Sequence, residues 1–294
     1  MGLKIAVASG KGGTGKTTVS TNLFFALKGK VEERVDFFDC DVEEPNSGIF
    51  LKGNLESEKD VLTNIPVIDP QKCTFCGRCV HYCEAHAILM VKEIGHIAVM
   101  EDLCTSCGAC IYACNDGAIT EKPKSLGKVR HYDIDGSRFI EGEINIGTAF
   151  ATPVIKAVKK EIDDKAVSII DSPPGTSCPV IETVHNTDFV IVVTEPTPFG
   201  LHDLKLMVET IRQTGNMFGV VINKAGFAYD ELYNFLKKEN IPLLLEIPFE
   251  RESAKNYSHG ELLIKHDNKL SDGLLEMYKK IQGHVTMAKK EGAL

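Results

Sequence analysis

Continuous apolar runs recur along the chain, each closed by a Gly-rich or acidic turn: LKIAVAS (3–9), VDFFDCD (35–41), AVSIID (166–171), FVIVVT (189–194), FGVVIN (218–223) and PLLLEI (242–247). Runs of this length, rich in β-branched residues, predict strands buried on both faces. Between them Val19, Leu23, Ala26 and Leu27 recur at helical spacing, and ATPVIKAVKKEI, GLHDLKLMVETIRQ and YDELYNFLKKE have helical character. Strand alternating with helix predicts an α/β fold, a mostly parallel sheet with helices on both faces and binding loops at the carboxyl ends of its strands. The last stretch, LLEMYKKIQGHVTMAKKEGAL, predicts a packing helix with a frayed tail, since it lacks the basic face and aromatic anchors of a membrane-surface helix.

The alternation stops between about Asn64 and Ser125, where an internal repeat appears. Cys73, Cys76, Cys79 and Cys83 return 31 residues later as Cys104, Cys107, Cys110 and Cys114, together with Gly77 as Gly108, Ala87 as Ala118 and Ile88 as Ile119. The reading that follows is a first part of the α/β domain over 1–63, a small inserted α+β domain over 64–125, and the second part of the α/β domain over 126–294. Alternating residues 126–147 read as a hairpin that returns the chain to the main sheet, with hinges expected near 60 and 126.

Composition narrows the classes. A chain of 294 residues, 43% apolar and 25% charged, can bury a core, which excludes disorder and collagen-like repetition. A net charge of -8 supplies no basic field for a phosphate backbone, so nucleic acid is not expected as the principal partner. The start MGLKIAVASGKGG has no signal-peptide pattern, no apolar run approaches a membrane span, and Ala6 stands where a myristoylation signal needs Ser or Thr, so no membrane integration is expected and a cytoplasmic location is. Ten cysteines without a secretory signal, eight of them between 73 and 114, point to metal rather than disulfides.

Gly10-Lys11-Gly12-Gly13-Thr14-Gly15-Lys16-Thr17-Thr18 satisfies GxxxxGK[ST] between a predicted strand and a predicted helix, the context of a phosphate-binding loop. Glycines let successive N–H groups turn onto phosphate oxygens, and the helix N-terminus adds partial positive charge. Lys16 is placed to reach the β- and γ-phosphates of ATP and the Thr17 hydroxyl to ligate Mg2+. Asp39-Cys40-Asp41 and Asp171-Ser172-Pro173-Pro174-Gly175 follow two of the predicted strands; carboxylates there can order a metal-bound or attacking water, and each alone could also be a turn or helix cap.

The segment KGGTGKTT is similar to the deviant Walker A form of the superfamily of MinD, ParA, Mrp and the nitrogenase iron protein. That resemblance implies a homodimer formed on ATP binding in which Lys11 reaches the partner's nucleotide. It implies further that Asp41 orients the attacking water from switch I, that Asp171 opens switch II in the DxPPG form, and that Asn223 and Pro248 hold the adenine. An Asn amide offers a base edge both a donor and an acceptor, although Asn223 could equally do no more than end a strand.

CxxCxxCxxxC written twice resembles bacterial ferredoxins with two 4Fe-4S clusters, in which the fourth Cys of each run serves the other cluster. The resemblance implies Cys73, Cys76, Cys79 and Cys114 on one cluster and Cys83, Cys104, Cys107 and Cys110 on the second. Zinc sites more often use CxxC pairs across a longer loop. Glu84 and Asn115 replace the Pro that usually follows the fourth Cys, and His81 and His86 are surplus to complete ligand sets and expected at the surface. Cys178 lies seven residues after Asp171, the distance of a cluster cysteine in the nitrogenase iron protein, but a second upstream cysteine is missing, so an incidental thiol is expected there and a core thiol at Cys40. The function expected is an ATP-binding and ATP-hydrolysing switch coupled to electron transfer through two clusters toward a redox partner. The alternative is ATP-dependent assembly or delivery of iron-sulfur or other metal centres to a client protein, and a MinD- or ParA-type positioning role comes third.

Overall fold

The computed structural model describes residues 2–148, 150–226 and 229–290. Its strands are β1 (Lys4–Ala8), β2 (Val35–Asp39), β3 (Asn54–Ile68), β4 (Ile88–Val91), β5 (His96–Val99), β6 (Ile119–Ile134), β7 (Ser137–Ile144), β8 (Val167–Asp171), β9 (Phe189–Thr194), β10 (Phe218–Ala225) and β11 (Leu243–Pro248). Nine of them form one sheet in the order β11-β10-β9-β1-β8-β2-β7-β6-β3, and β11 through β7 are parallel neighbours throughout. The chain divides into two compact units, one of residues 1–58, 129–143 and 155–294, the other of 59–128 and 144–154.

In the first unit the six apolar runs are strands, five of them at the heart of the sheet because neither face meets water. The helix Lys16–Leu27 is buried on nearly every side; Phe24 meets Phe37 of β2 edge to face at 5.8 Å, and Phe37 meets Phe139 of β7 at the same distance. Each such ring contributes about 1.5–3 kcal/mol by burial. The helix Asn268–Lys290 adds Leu274, Met277 and Ile281 to this core, and Gly283 does not interrupt it. The expected frayed tail, residues 291–294, lies outside the described residues. Among the described residues no helix is long and apolar enough to cross a membrane.

The expected hairpin is present as β6 and β7, joined by Asp135 (φ 46°) and Gly136 (φ 85°), the double positive φ of a tight type I′ turn. The expected hinges are not: residues 60 and 126 fall inside the uninterrupted strands β3 and β6. β3 left no periodic signature because its first seven residues, NLESEKD, are exposed, so nothing selects an apolar side.

In the second unit the sequence repeat is also a backbone repeat. The short helices Arg78–His81 and Ala109–Ala113 start after Gly77 (φ 80°) and Gly108 (φ 75°), and Phe75 (φ 53°) and Ser106 (φ 58°) share the left-handed conformation 31 residues apart. Beside them β4 and β5 form an antiparallel pair in which Ile88 faces Val99. The apolar cluster here is small: its buried members are Cys79, Ile88, Cys110 and Ile119.

Candidate functional site

The loop Gly10–Gly15 leaves the carboxyl end of β1 and turns directly into the helix Lys16–Leu27. Gly15 caps that helix at φ 98°, and a Cβ there would stand 2.1 Å from Asn223 Nδ2; at Gly10 it would meet the Asp203 carbonyl oxygen at 2.4 Å. Both positions therefore require glycine, whereas Gly12 and Gly13 border open space into which a ligand can approach. Lys16 and Thr17 are buried at the head of the helix, and the Thr14 hydroxyl is buried with no hydrogen-bond partner among the described residues. An orphaned hydroxyl beside a buried lysine at a helix N-terminus is what an anion such as phosphate would satisfy.

Two side chains from the end of β10 brace this loop from behind. Asn223 Nδ2 donates to the Thr14 carbonyl at 2.8 Å, and Lys224 Nζ donates to the Gly13 carbonyl at 3.0 Å. Lys11, expected to point toward a partner subunit, is paired within its own chain with Glu195, at 2.7 Å.

Asp39 and Asp41 follow β2 and Asp171 ends β8. Asp39 accepts from the Asp41 N–H at 3.0 Å and the Ser47 N–H at 3.1 Å, which shapes the loop carrying Asp41. Neither carboxylate oxygen of the fully buried Asp171 has a hydrogen-bond partner among the described residues. Burial raises the pKa of Asp171, opposed by Lys16, and burial followed by repulsion from Asp171 raises that of Asp39. Asp41 is pushed up to about 7, chiefly by burial, with Lys16 pulling against it. Buried, under-satisfied carboxylates beside the Thr17 hydroxyl form a hard oxygen donor set that suits Mg2+. The segment after Asp171 is tied to the loop as well, since the Ser172 N–H donates to Val7 O and the Gly175 N–H to Ser9 O, each at 3.0 Å.

A cavity of about 290 Å3 opens beside the loop, lined by Gly13, Gly15, Thr18, Asn223 and Pro248 and closed on its far side by Phe249 and Tyr257. Asn223 and Pro248 thus share a wall with the loop, but the Asn223 amide nitrogen is already committed to Thr14. Sequence reasoning missed Tyr257. It stands on Arg251–Ser258, a helix without a buried residue and hence without an apolar stripe to read, and its ring packs on Phe50 at 4.9 Å.

In the second unit two further cavities are each lined by four cysteines. One has Cys73, Cys76, Cys79 and Cys114, the other Cys83, Cys104, Cys107 and Cys110. Each takes three cysteines from one copy of the repeat and the fourth from the other copy. The Ala87 N–H donates to Cys83 Sγ at 3.2 Å and the Ala118 N–H to Cys114 Sγ at 3.3 Å, again 31 residues apart. Among the described residues no three His, Cys, Asp or Glu side chains converge closely enough for a single metal ion, so these sets suit a larger group. His81 and His86 are exposed and line neither cavity. Cys178 is exposed at the start of the helix Cys178–Val184, and Cys40 is buried, which pushes its thiol far above the usual range.

Comparison with known proteins agrees with the first unit's architecture. A family profile described as the CobQ/CobB/MinD/ParA nucleotide binding domain matches residues 5–264. An uncharacterized protein of Methanocaldococcus jannaschii is 33% identical over 273 residues, 90% of this chain and 92% of its own. A cytosolic Fe-S cluster assembly factor Nubp2 homolog of Aedes aegypti is 28% identical over 229 residues, 76% of this chain and 69% of its own. Among solved structures, the septum site-determining protein MinD of Pyrococcus horikoshii OT3, complexed with Mg-ADP, has a TM-score of 0.57 at 18% identity and covers 96% of both chains, a likeness of fold.

Proposed function

The chain belongs to the CobQ/CobB/MinD/ParA nucleotide-binding family, and on that premise we propose an ATP-hydrolysing switch of the cytoplasm that carries two resident 4Fe-4S clusters and couples its nucleotide state to electron transfer. The observation that carries the cluster half is the crossed lining of the two cysteine cavities. Eight cysteines in two sets of four, with backbone N–H groups aimed at Cys83 and Cys114, match the thiolate cage and sulfur hydrogen bonds of such clusters. When bound, the clusters supply one-electron chemistry.

The nucleotide half rests on the loop. Lys16 and the N–H groups of Gly10–Gly15 hold the polyphosphate of ATP, the Thr17 hydroxyl ligates Mg2+, and Asp171 supports that ion through its buried carboxylate. Asp41 orients a water for in-line attack on the γ-phosphorus; the bond to the β,γ-bridging oxygen breaks and ADP leaves with it. Asp39 holds the Asp41 loop, and the tie between Gly175 and Ser9 conveys the presence of the γ-phosphate to the segment after Asp171. Lys11 completes the site across a homodimer, with a redox protein as the further partner.

The test is composition. Anaerobically purified protein should contain about eight iron and eight acid-labile sulfides per chain and absorb broadly near 400 nm, roughly as two cubane clusters do. Two zinc ions per chain with no sulfide would overturn the cluster assignment. The likeness to the Nubp2 homolog favours a second reading, in which the ATPase assembles or delivers clusters to a client. Mixing the iron-loaded protein with an apo-ferredoxin, with and without ATP, separates the two, because a carrier gives up its iron and an electron carrier keeps it.

A further inference from the structure

Three charged side chains meet at the mouth of the phosphate loop: Lys11 Nζ lies 2.7 Å from one oxygen of Glu195, and Lys224 Nζ lies 3.1 Å from the other. Glu195 follows β9, and its side chain is only 16% exposed. Burial works against its charge, but the two ammonium groups prevail and hold the carboxyl below the usual carboxylate range.

The backbone under this cluster is built to hold it. The Thr197 N–H donates to Glu195 O at 2.8 Å, and Thr197 Oγ1 then caps the helix Pro198–Thr214 by accepting from the Gly200 N–H at 3.0 Å. Glu195 therefore stands on a fixed turn, while Lys11 stands on the loop. Lys224 reaches Glu195 from a left-handed backbone (φ 55°), within a register irregularity between Ile222 and Ala225 of β10. A non-glycine residue held there costs stability, and such positions persist where they aim a side chain.

We propose that Glu195 is a built-in competitor anion for the phosphate loop, a positioning residue that occupies Lys11 and Lys224 until a polyphosphate displaces it. A carboxylate bridging two cations at the entrance does two things to an arriving nucleotide. It neutralises the cations that would attract the phosphates, and it repels the phosphates itself. Only a ligand carrying several negative charges can exchange partners with both lysines, so the loop discriminates against orthophosphate and monophosphates and binds ATP below the affinity its own cations could give. This rests on the nucleotide-binding reading of the loop.

The sign of the effect separates it from a structural role, because removing a supporting residue weakens binding and removing a competitor strengthens it. The experiment measures the affinity of the full-length protein for Mg2+ and a non-hydrolysable ATP analogue, in wild type, Glu195→Gln and Glu195→Asp, at low and high salt. Glu195→Gln should bind roughly 3- to 10-fold more tightly. Glu195→Asp, which keeps the charge but withdraws it by one methylene, should fall between the two. In a Lys11→Met background the gain from Glu195→Gln should shrink. Affinity in Glu195→Gln equal to or weaker than wild type overturns the proposal. So does Glu195→Asp binding like wild type, since a general field effect would need the charge and not the contact. Should Glu195→Gln fail to fold, Glu195→Asp decides alone, tighter binding for and unchanged binding against. If wild type and every variant fail to bind the analogue, the nucleotide-binding reading falls instead.

Discussion

Asp39 and Asp171 lie directly opposite one another at the carboxyl ends of the parallel neighbours β2 and β8, and neither side chain has exposed surface. Two carboxylates side by side in a water-free position destabilise the sheet on which they stand unless a cation joins them. The strands keep both because β2 and β8 end at the same level, which brings the two candidate switch segments to one point.

Asp171→Asn should therefore stabilise the nucleotide-free protein, by roughly 1 to 2 kcal/mol or ~2–8 °C in the unfolding midpoint. The same variant should lose most of the midpoint gain that Mg2+ and nucleotide give to wild type. Calorimetry with and without Mg-ADP checks both halves, and a lowered midpoint in the free protein would mean that Asp171 is satisfied by protein groups.

Lys16→Ala should abolish nucleotide binding, because a buried ammonium at the helix start has no substitute in the loop. Asp41→Ala should keep ATP and lose turnover by ~100-fold or more, in line with the loss of a group that positions the nucleophile. Equilibrium binding and phosphate release measured side by side distinguish the two, and equal loss of binding in both variants would make Asp41 structural.

The crossed cysteine sets make an unusual mutational forecast. Cys114→Ala should remove the same iron centre as Cys73→Ala, and Cys83→Ala the same one as Cys104→Ala, although each pair is split between the two copies of the repeat. Iron content should fall to about four per chain in each case, with paired variants leaving identical electron paramagnetic resonance signals. Loss of the same centre in Cys83→Ala and Cys73→Ala would show uncrossed ligation.

Lys11→Ala is expected to abolish ATP-dependent dimerisation while leaving much of the monomer's nucleotide affinity. Light scattering with and without ATP gives the answer. If ATP leaves the wild-type mass unchanged, Lys11 has no cross-subunit role and its pairing with Glu195 is its working state.

How much of this was legible in the chain follows from which forces leave a periodic trace. The strands β1, β2 and β8 to β11 were readable because the run is apolar when both faces are buried, and the phosphate loop because glycine is forced at Gly10 and Gly15 by close neighbours. The cysteine repeat was readable because metal ligation fixes spacing. β3 was not, since an exposed polar strand carries no pattern. The pairing of Lys11 and Lys224 with Glu195 was not, since contacts between residues 184 and 29 positions apart depend on which strands become neighbours. Tyr257 was hidden for the same reason as β3: its helix touches the protein along no apolar stripe.

The small apolar cluster of the second unit has one more consequence. Cys79 and Cys110 are two of its four buried members, so the ligands of the proposed clusters are also core residues. In such a region, loss of iron to oxygen or a chelator takes away the staple and leaves two apolar partners, Ile88 and Ile119, too few to hold it closed. A copy that has lost its metal would then open at that place and become a substrate for ordinary proteases, while a loaded copy would be spared. The lifetime of the polypeptide would be set by the lifetime of its metal, and quality control would need no dedicated sensor.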